Sequence, residues 1–251
     1  MINSKLTKKE SNEMKHFNLM ASNYDTNYGY NDLFTSYKIH KKMQYFKEFV
    51  DKNITSSRFK IVEMGCGTGE YTKLIAEMYP NASIIALDIS DDILKIAKLK
   101  CKKNKNVKFL NRSAYSTGVN KRSVDLVCGF YFLHHIDLKK VGSEIFNILK
   151  IGGSAFFYEP NILNPLVYLI KSNKTLKNLF GDSPDEWAMN PVTIRSIFPK
   201  FKTDFKTSEF IYPARFLPAP LMVSLDKLTS FFSYIPLLKY LGGSVAIKIN
   251  K

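Results

Sequence analysis

The chain has 251 residues, of which 45% are hydrophobic and 24% charged, and a formal charge of +15. That length and balance exclude wholesale disorder and suit one domain with additions, large enough to bury its own core. Three scattered cysteines, Cys66, Cys101 and Cys128, exclude a disulfide framework and the paired short spacing of a zinc site. A reduced cytoplasmic setting and no metal are therefore expected.

Residues 1–15 are polar and lysine-rich, without the apolar core of a leader. No uncharged apolar run approaches the roughly 18–20 residues that span a bilayer, since Asp226 and Lys227 divide the best candidates, 216–225 and 228–238. Lysines are spread along the chain in pairs such as Lys8 with Lys9 and Lys102 with Lys103, which reads as solvated background more than as a nucleic-acid footprint.

From 14 to 50 the chain reads as helical, with Phe17, Met20, Ile39, Met43, Phe46 and Phe49 near the helical period, interrupted by a tyrosine-rich loop at 23–32. Residues 59–64 form an apolar strand that runs into a glycine loop, and 70–79 a helix ended by Pro80. A second strand, 83–87, stops at Asp88. The amphipathic helix at 91–103 follows, with Ile93, Leu94, Ile96, Ala97 and Leu99 towards the core. Strands at 107–110 and 124–129 precede a helix at 139–149, with Gly152 and Gly153 as its C-terminal turn, and then a strand at 154–158. Such alternation predicts an α/β fold with a parallel sheet and helices on both faces.

Further on, the sequence predicts a helix within 184–198 after Pro191 and strands at 203–211 and 243–249. Between those strands the apolar, aromatic segment 212–242 is too long for a plain loop. The expected organisation is a helical cap, 1–50, on an α/β domain, 51–251, with lid insertions at 161–200 and 212–242.

The strongest motif is Ile61-Val-Glu-Met-Gly-Cys-Gly-Thr-Gly69, between a strand and a helix. Glycines at alternating positions let the backbone turn sharply and let a ligand approach where a Cβ would collide. Asp88 follows the next strand, about 20 residues on, where a carboxylate can accept hydrogen bonds from both hydroxyls of a ribose. The spacing is not that of a dinucleotide fingerprint, and no Gly-Lys-Ser/Thr follows as in a P-loop. Glu63, two positions before the first glycine, would repel a pyrophosphate but suits a ligand with an amino group.

Glu63 to Gly69, then Asp88, then Val124-Asp-Leu-Val127 leading to Leu133-His-His-Ile136, then Leu149-Lys-Ile-Gly-Gly153 and Tyr158-Glu-Pro160, resemble the class I S-adenosylmethionine-dependent methyltransferases of the small-molecule type. The resemblance covers about residues 17–161. It implies a Rossmann-like, seven-stranded, mostly parallel sheet with its last strand antiparallel, and S-adenosyl-L-methionine as cofactor. It further implies that Gly65, Cys66, Gly67, Thr68 and Gly69 lie under the methionine part, with Glu63 near its amino group. Asp88 is then expected at the ribose, Ile89 against the adenine, Cys128, Gly129 and Phe130 flanking the methionine tail, and Tyr24 closing over the cofactor. One departure stands out: where the family often has Asp-Ala after the third strand, facing the adenine amino group, this chain has Ser113 and Ala114. Serine accepts a hydrogen bond more weakly than a carboxylate does.

Methyl transfer needs a base only where the acceptor must lose a proton. His134 and His135 follow strand four, at the carboxyl edge where such folds bind ligands, and either can be catalytic or structural. Similar small-molecule O-methyltransferases place a histidine here as base and an acidic residue at the end of strand five, the position of Glu159. The expected partner is a small-molecule or lipophilic acceptor, methylated on oxygen or nitrogen in secondary-metabolite, lipid or glycan synthesis. The apolar insertion, flanked by Arg215, Lys227 and Lys239, is open to three readings: extra packing layer, homodimer interface, or peripheral contact with anionic membrane at the inner surface. RNA methylation is a minor alternative, because the place after strand four lacks an Asn/Asp-Pro-Pro-aromatic motif. A non-catalytic cofactor-binding regulator is another.

Overall fold

The computed structural model describes residues 6–27, 29–30, 32–180, 182–183, 186–211 and 217–251. Thr7 and Glu10 form a reciprocal capping box that starts α1 (Lys8–Met20). A 3-10 turn, Ala21–Asn23, and the single-turn α2 (Tyr24–Asn27) occupy much of the expected loop, and Asp32 caps α3 (Leu33–Asn53).

The next segments alternate as their apolar patterns require: β1 (Lys60–Met64), α4 (Glu70–Met78), β2 (Ser83–Asp88), α5 (Asp91–Lys100), β3 (Val107–Asn111), β4 (Val124–Phe130), α6 (Leu138–Ile148) and β5 (Leu149–Pro160). Side chains along a strand point to opposite faces. Thus Val62, Ala155 and Phe157 enter one core with Val141, Ile145 and Phe198, while Ile61, Phe156 and Tyr158 enter the other with Met43, Phe46 and Ile75. Two expectations need correction. Leu99 is 72% exposed, on the outer face of α5. Gly152 and Gly153 do not end a helix: α6 stops at Ile148, and both glycines lie in β5, where the register against β4 slips between Val124 and Leu126.

After β5 come α7 (Pro165–Ser172), α8 (Lys174–Phe180), the single-turn α9 (Ile194–Ile197), β6 (Lys202–Ser208), α10 (Ala219–Thr229), two 3-10 turns and β7 (Ser244–Asn250). Strand order is β3-β2-β1-β4-β5-β7-β6, with β7 antiparallel to both neighbours and the pairs from β3 to β5 parallel, so the predicted architecture holds. The helix after Pro191 shrinks to the one turn α9, because Asn190 and Thr193 divert the chain into turns first. The insertions meet: Asn161 donates to the carbonyls of Tyr240 and Gly242, and Asn164 to that of Leu241. Arg215 and the first part of the 212–242 segment lie outside the described residues. Among the described residues no helix is long and apolar enough to cross a membrane.

Candidate functional site

β1 lies where the chain reverses direction across the sheet, between β2 and β4, and its carboxyl end opens into the glycine loop. Gly65 and Gly67 take φ values of 67° and 53°, left-handed backbone that side chains resist. A Cβ on Gly65 would lie 2.4 Å from the ring of Phe132, whereas one on Gly67 would meet only the Tyr24 hydroxyl, at 3.4 Å. The Asp88 carboxylate accepts from the backbone N–H of Gly67 and of Ser90, each at 3.0 Å, which pins the loop to the end of β2. Burial raises the Asp88 carboxyl, while these backbone donors hold it down.

Two cavities flank this loop. The smaller, about 90 Å³, is walled by Gly65, Gly67, Asp88, Ile89, Ile93, Ala114 and Tyr115, with Glu10, Glu13, Phe17 and Tyr24 from the N-terminal helices across it. The larger, about 350 Å³, runs from Gly65, Cys66, Gly67 and Thr68 past Phe130, His134 and His135 to Lys38, Lys42, Lys171 and Glu209. Tyr24, Phe130 and His135 line both. Tyr24 is held over the loop through its neighbour: Asp25 accepts from the Thr68 hydroxyl at 2.6 Å and pairs with Lys100 at 2.8 Å.

Five expected cofactor contacts are placed elsewhere. Glu63 is buried beneath the loop, where its carboxylate accepts from the Thr72 hydroxyl at 2.6 Å, and burial with nearby Asp88 pushes it up to about 8. Cys128 and Gly129 are interior to the sheet: Cys128 has no exposure, and a Cβ on Gly129 would press on the Met64 carbonyl at 3.0 Å. Gly69 packs against Ala97, and Ser113 stands behind the wall with its hydroxyl on Glu10.

The second group of functional side chains converges on the turn after β4. Tyr131 there has φ 56°, and its N–H donates to the Tyr158 carbonyl at 2.7 Å. Glu159 fastens the same turn. One oxygen accepts from the N–H of Phe132 at 3.0 Å and of Leu133 at 2.8 Å, and the other meets His134 Nδ1 at 2.6 Å. His134 Nε2 lies 3.3 Å from Glu186, which Lys171 also contacts, and Lys171 pairs with Asp182 at 2.8 Å. Burial alone would lower the His134 imidazole, but its hydrogen bonds to Glu159 and Glu186 outweigh that and hold it up to about 9. His134 is therefore an imidazolium clamped at both nitrogens, which is no base near neutrality. Glu159 spends both oxygens on the turn and acts as a positioning residue.

His135 differs. Its Nδ1 is 3.1 Å from Glu13 of α1, whose other oxygen accepts from the Ser183 hydroxyl at 2.8 Å, and Phe17 packs edge-on to its ring. Against burial, which raises it, His135 and Ser183 hold the Glu13 carboxyl low. At the far wall Lys38 and Lys42 share one carboxylate, Glu209, at 3.4 and 3.2 Å. Against its own burial, the two ammonium groups hold Glu209 down to about 2.

Sequence reasoning missed Glu10, Glu13, Lys38, Lys42, Lys171, Glu186 and Glu209. A signal was present for one: Lys42 falls on the stripe of Ile39, Met43 and Phe46, where a charge needs a buried partner. Glu10 also sits in a local capping box with Thr7, but the contacts that bring these residues to the site, such as Glu10 with Ser113, Glu13 with His135 and Lys38 with Glu209, join distant segments that no local pattern reveals.

Comparison with known proteins places this geometry in context. A methyltransferase-domain model matches residues 61–153. The demethylmenaquinone methyltransferase of Lactococcus lactis is 39% identical over 97 residues, 37% of this chain and 38% of that protein. The malonyl-[acyl-carrier protein] O-methyltransferase of a Paenibacillus strain is 29% identical over 143 residues, 50% of this chain and 51% of that one. The chain thus spans about half or less of the length of these curated relatives. In fold, a methyltransferase of Thermotoga maritima superposes with a TM-score of 0.64 at 17% identity, covering 95% of this chain and 99% of that one. The family's cofactor fits what the chain provides: a loop bare of Cβ atoms at Gly65 and Gly67, the Asp88 carboxylate on the wall, and an apolar slot between Ile89, Ile93 and Ala114. The chain belongs to the class I S-adenosylmethionine-dependent methyltransferases.

Proposed function

We propose that the protein transfers a methyl group from S-adenosylmethionine to a small or lipophilic acceptor held in the larger cavity, with His135 as the base where the acceptor is a protonated oxygen or nitrogen. The observation that carries this reading is that His135 lines both cavities. The bound cofactor supplies an electrophilic methyl carbon on sulfur. Gly65, Gly67 and Asp88 hold it, and Tyr24 and Phe17 cover the loop and exclude water. Glu159 and the His134 imidazolium fix the turn, so that His135 is presented rigidly. Glu13, 3.1 Å from Nδ1, places a carboxylate beside the ring that stabilises the imidazolium formed when Nε2 takes the acceptor's proton. The aromatic and aliphatic wall of Tyr71, Phe130, Val167 and Ile170 suits an apolar body, and Lys38 with Lys42 suits a polar or anionic end. The two curated relatives, named for a quinone precursor and a carrier-bound malonyl group, bracket that chemistry.

The test is transfer of label from methyl-labelled S-adenosylmethionine into a cell extract resolved into lipids and small molecules. Wild type is expected to label an extractable product. His135→Ala is expected to lose at least about a hundredfold in rate with cofactor affinity retained. Unchanged turnover in that variant removes the base, and cofactor binding without any transfer reduces the protein to a binder.

For peripheral membrane contact, the support is a row of exposed apolar side chains after the start of α10. Leu228 is 66% exposed, Phe231 51%, Tyr234 80% and Leu237 83%, with Lys227 and Lys239 beside them. Co-sedimentation with anionic but not neutral vesicles at low salt is expected, and absence of binding to both ends this reading.

A further inference from the structure

We propose that Glu10, on the N-terminal helix, is the carboxylate that receives the amino group of the cofactor's adenine, taking over at a position where the chain has Ser113. The inference rests on the cofactor reading above and concerns which residue selects the base.

Three observations converge on it. First, the residues after β3 offer no carboxylate: Ser113 is 3% exposed and does not reach the cavity wall. Its hydroxyl donates to Glu10 Oε1 and in turn accepts from the Tyr115 N–H at 3.1 Å, so Ser113 behaves as a bracket for another side chain. Second, Glu10 is 6% exposed and lines the small cavity together with Asp88, Ile89 and Ala114. Third, its position is fixed from the far side, because Oε2 accepts from the Thr7 N–H at 2.8 Å and the Thr7 hydroxyl at 2.9 Å, where the capping box starts α1. A buried carboxylate with both oxygens anchored is a preorganised acceptor, and Oε1, which accepts only from Ser113, keeps lone-pair capacity for one further N–H. Contacts that would otherwise be unexplained follow from this: a glutamate serving only as a cap could remain in water.

The consequence is a selectivity for adenine that travels with α1. An exocyclic amine donates to Glu10, whereas the 6-oxo group of hypoxanthine would face it lone pair to lone pair, which in a buried site is repulsive. The experiment is calorimetric titration with S-adenosylhomocysteine and with its 6-oxo counterpart, S-inosylhomocysteine. Glu10→Gln is the informative variant, since glutamine also completes a capping box, and its amide can donate to a 6-oxo group. Wild type is expected to prefer the adenine compound strongly. The variant is expected to bind it roughly tenfold more weakly and to narrow the preference between the two bases. Ser113→Asp placed on Glu10→Gln is expected to restore the preference. Thr7→Ala, which removes the cap and leaves the carboxylate, measures what loosening the helix alone does and is expected to leave the ratio near that of wild type. An unchanged base preference in Glu10→Gln, with the adenine compound still bound, overturns the proposal. So does a Thr7→Ala variant that narrows the preference as much. Failure of wild type to bind S-adenosylhomocysteine would instead strike the cofactor reading itself.

Discussion

The two halves of the sheet's carboxyl edge are built by different means. The cofactor half is made largely of backbone: left-handed turns at Gly65 and Gly67, and N–H groups caught by Asp88 within about one strand-helix unit. The acceptor half is made of side chains that meet from distant segments. Glu13, Lys38, His135, Glu159, Lys171, Glu186 and Glu209 come from three helices, a turn, the end of β5 and the loops of the second half of the chain. Backbone geometry tolerates almost no substitution but leaves the acceptor undefined. Charge networks tolerate conservative changes, and they decide what is bound.

The strongest way to break that contrast is at Gly65. An alanine there meets the left-handed penalty of about 1–2 kcal/mol and a collision at 2.4 Å with Phe132, whose own N–H is held by Glu159. Overpacking adds a similar amount, so Gly65→Ala is expected to cost on the order of 3 kcal/mol in chemical denaturation and to abolish cofactor binding. Gly67→Ala shares the backbone strain, but its Cβ reaches only the Tyr24 hydroxyl at 3.4 Å, so it is expected to be the more stable of the two while also losing cofactor. Equal stability of the two variants would show that the Gly65 contact is not tight.

This contrast also explains what could be read in the sequence. The order of β1 to β5, the glycine loop and the position of Asp88 after β2 were legible because period-two apolar runs and turn residues act over short distances, whereas the antiparallel end of the sheet was implied only by the family resemblance. Of the residues that the resemblance puts at the cofactor, Tyr24, Phe130 and Ile89 were found on cavity walls, Tyr24 and Phe130 on both. Glu63, Cys128 and Gly129 were not, because spacing along a strand does not say which face reaches the ligand once both faces are covered. His134 and His135 look equivalent as neighbours in sequence. Only the fold separates them, giving one to two carboxylates at the wall of the large cavity and the other to the boundary between cavities. The short α9 shows the same limit on a smaller scale, since Asn190 and Thr193 use local bonds that a helical pattern does not announce.

A smaller effect, confined to the acceptor half, is a dependence of stability on pH. His134 is raised from the ordinary 6.5 to about 9, so its contribution is fully present below pH 6.5 and is lost as pH rises through 9. Glu186 is held below its ordinary 4.5 despite burial, by His134, His135 and Lys171, so its contribution is present above that value and fades as pH falls below it. Stability should therefore be greatest at mildly acid pH and decline towards pH 9, by on the order of 3 kcal/mol for His134. Glu63, raised to about 8, adds a decline of the same sign that is complete by pH 8. The two separate in His134→Gln, which is expected to be less stable than wild type at pH 6, because Glu159 and Glu186 lose a buried cation, yet to lose little more between pH 8 and 9. Urea denaturation of both proteins across pH 5 to 9 is the measurement. Parallel curves would mean that His134 is not held as a cation between its two carboxylates. A flattening confined to the alkaline side would locate that cation in the acceptor half, since Gly65→Ala, which carries its defect in backbone and packing, is expected to keep the wild-type slope.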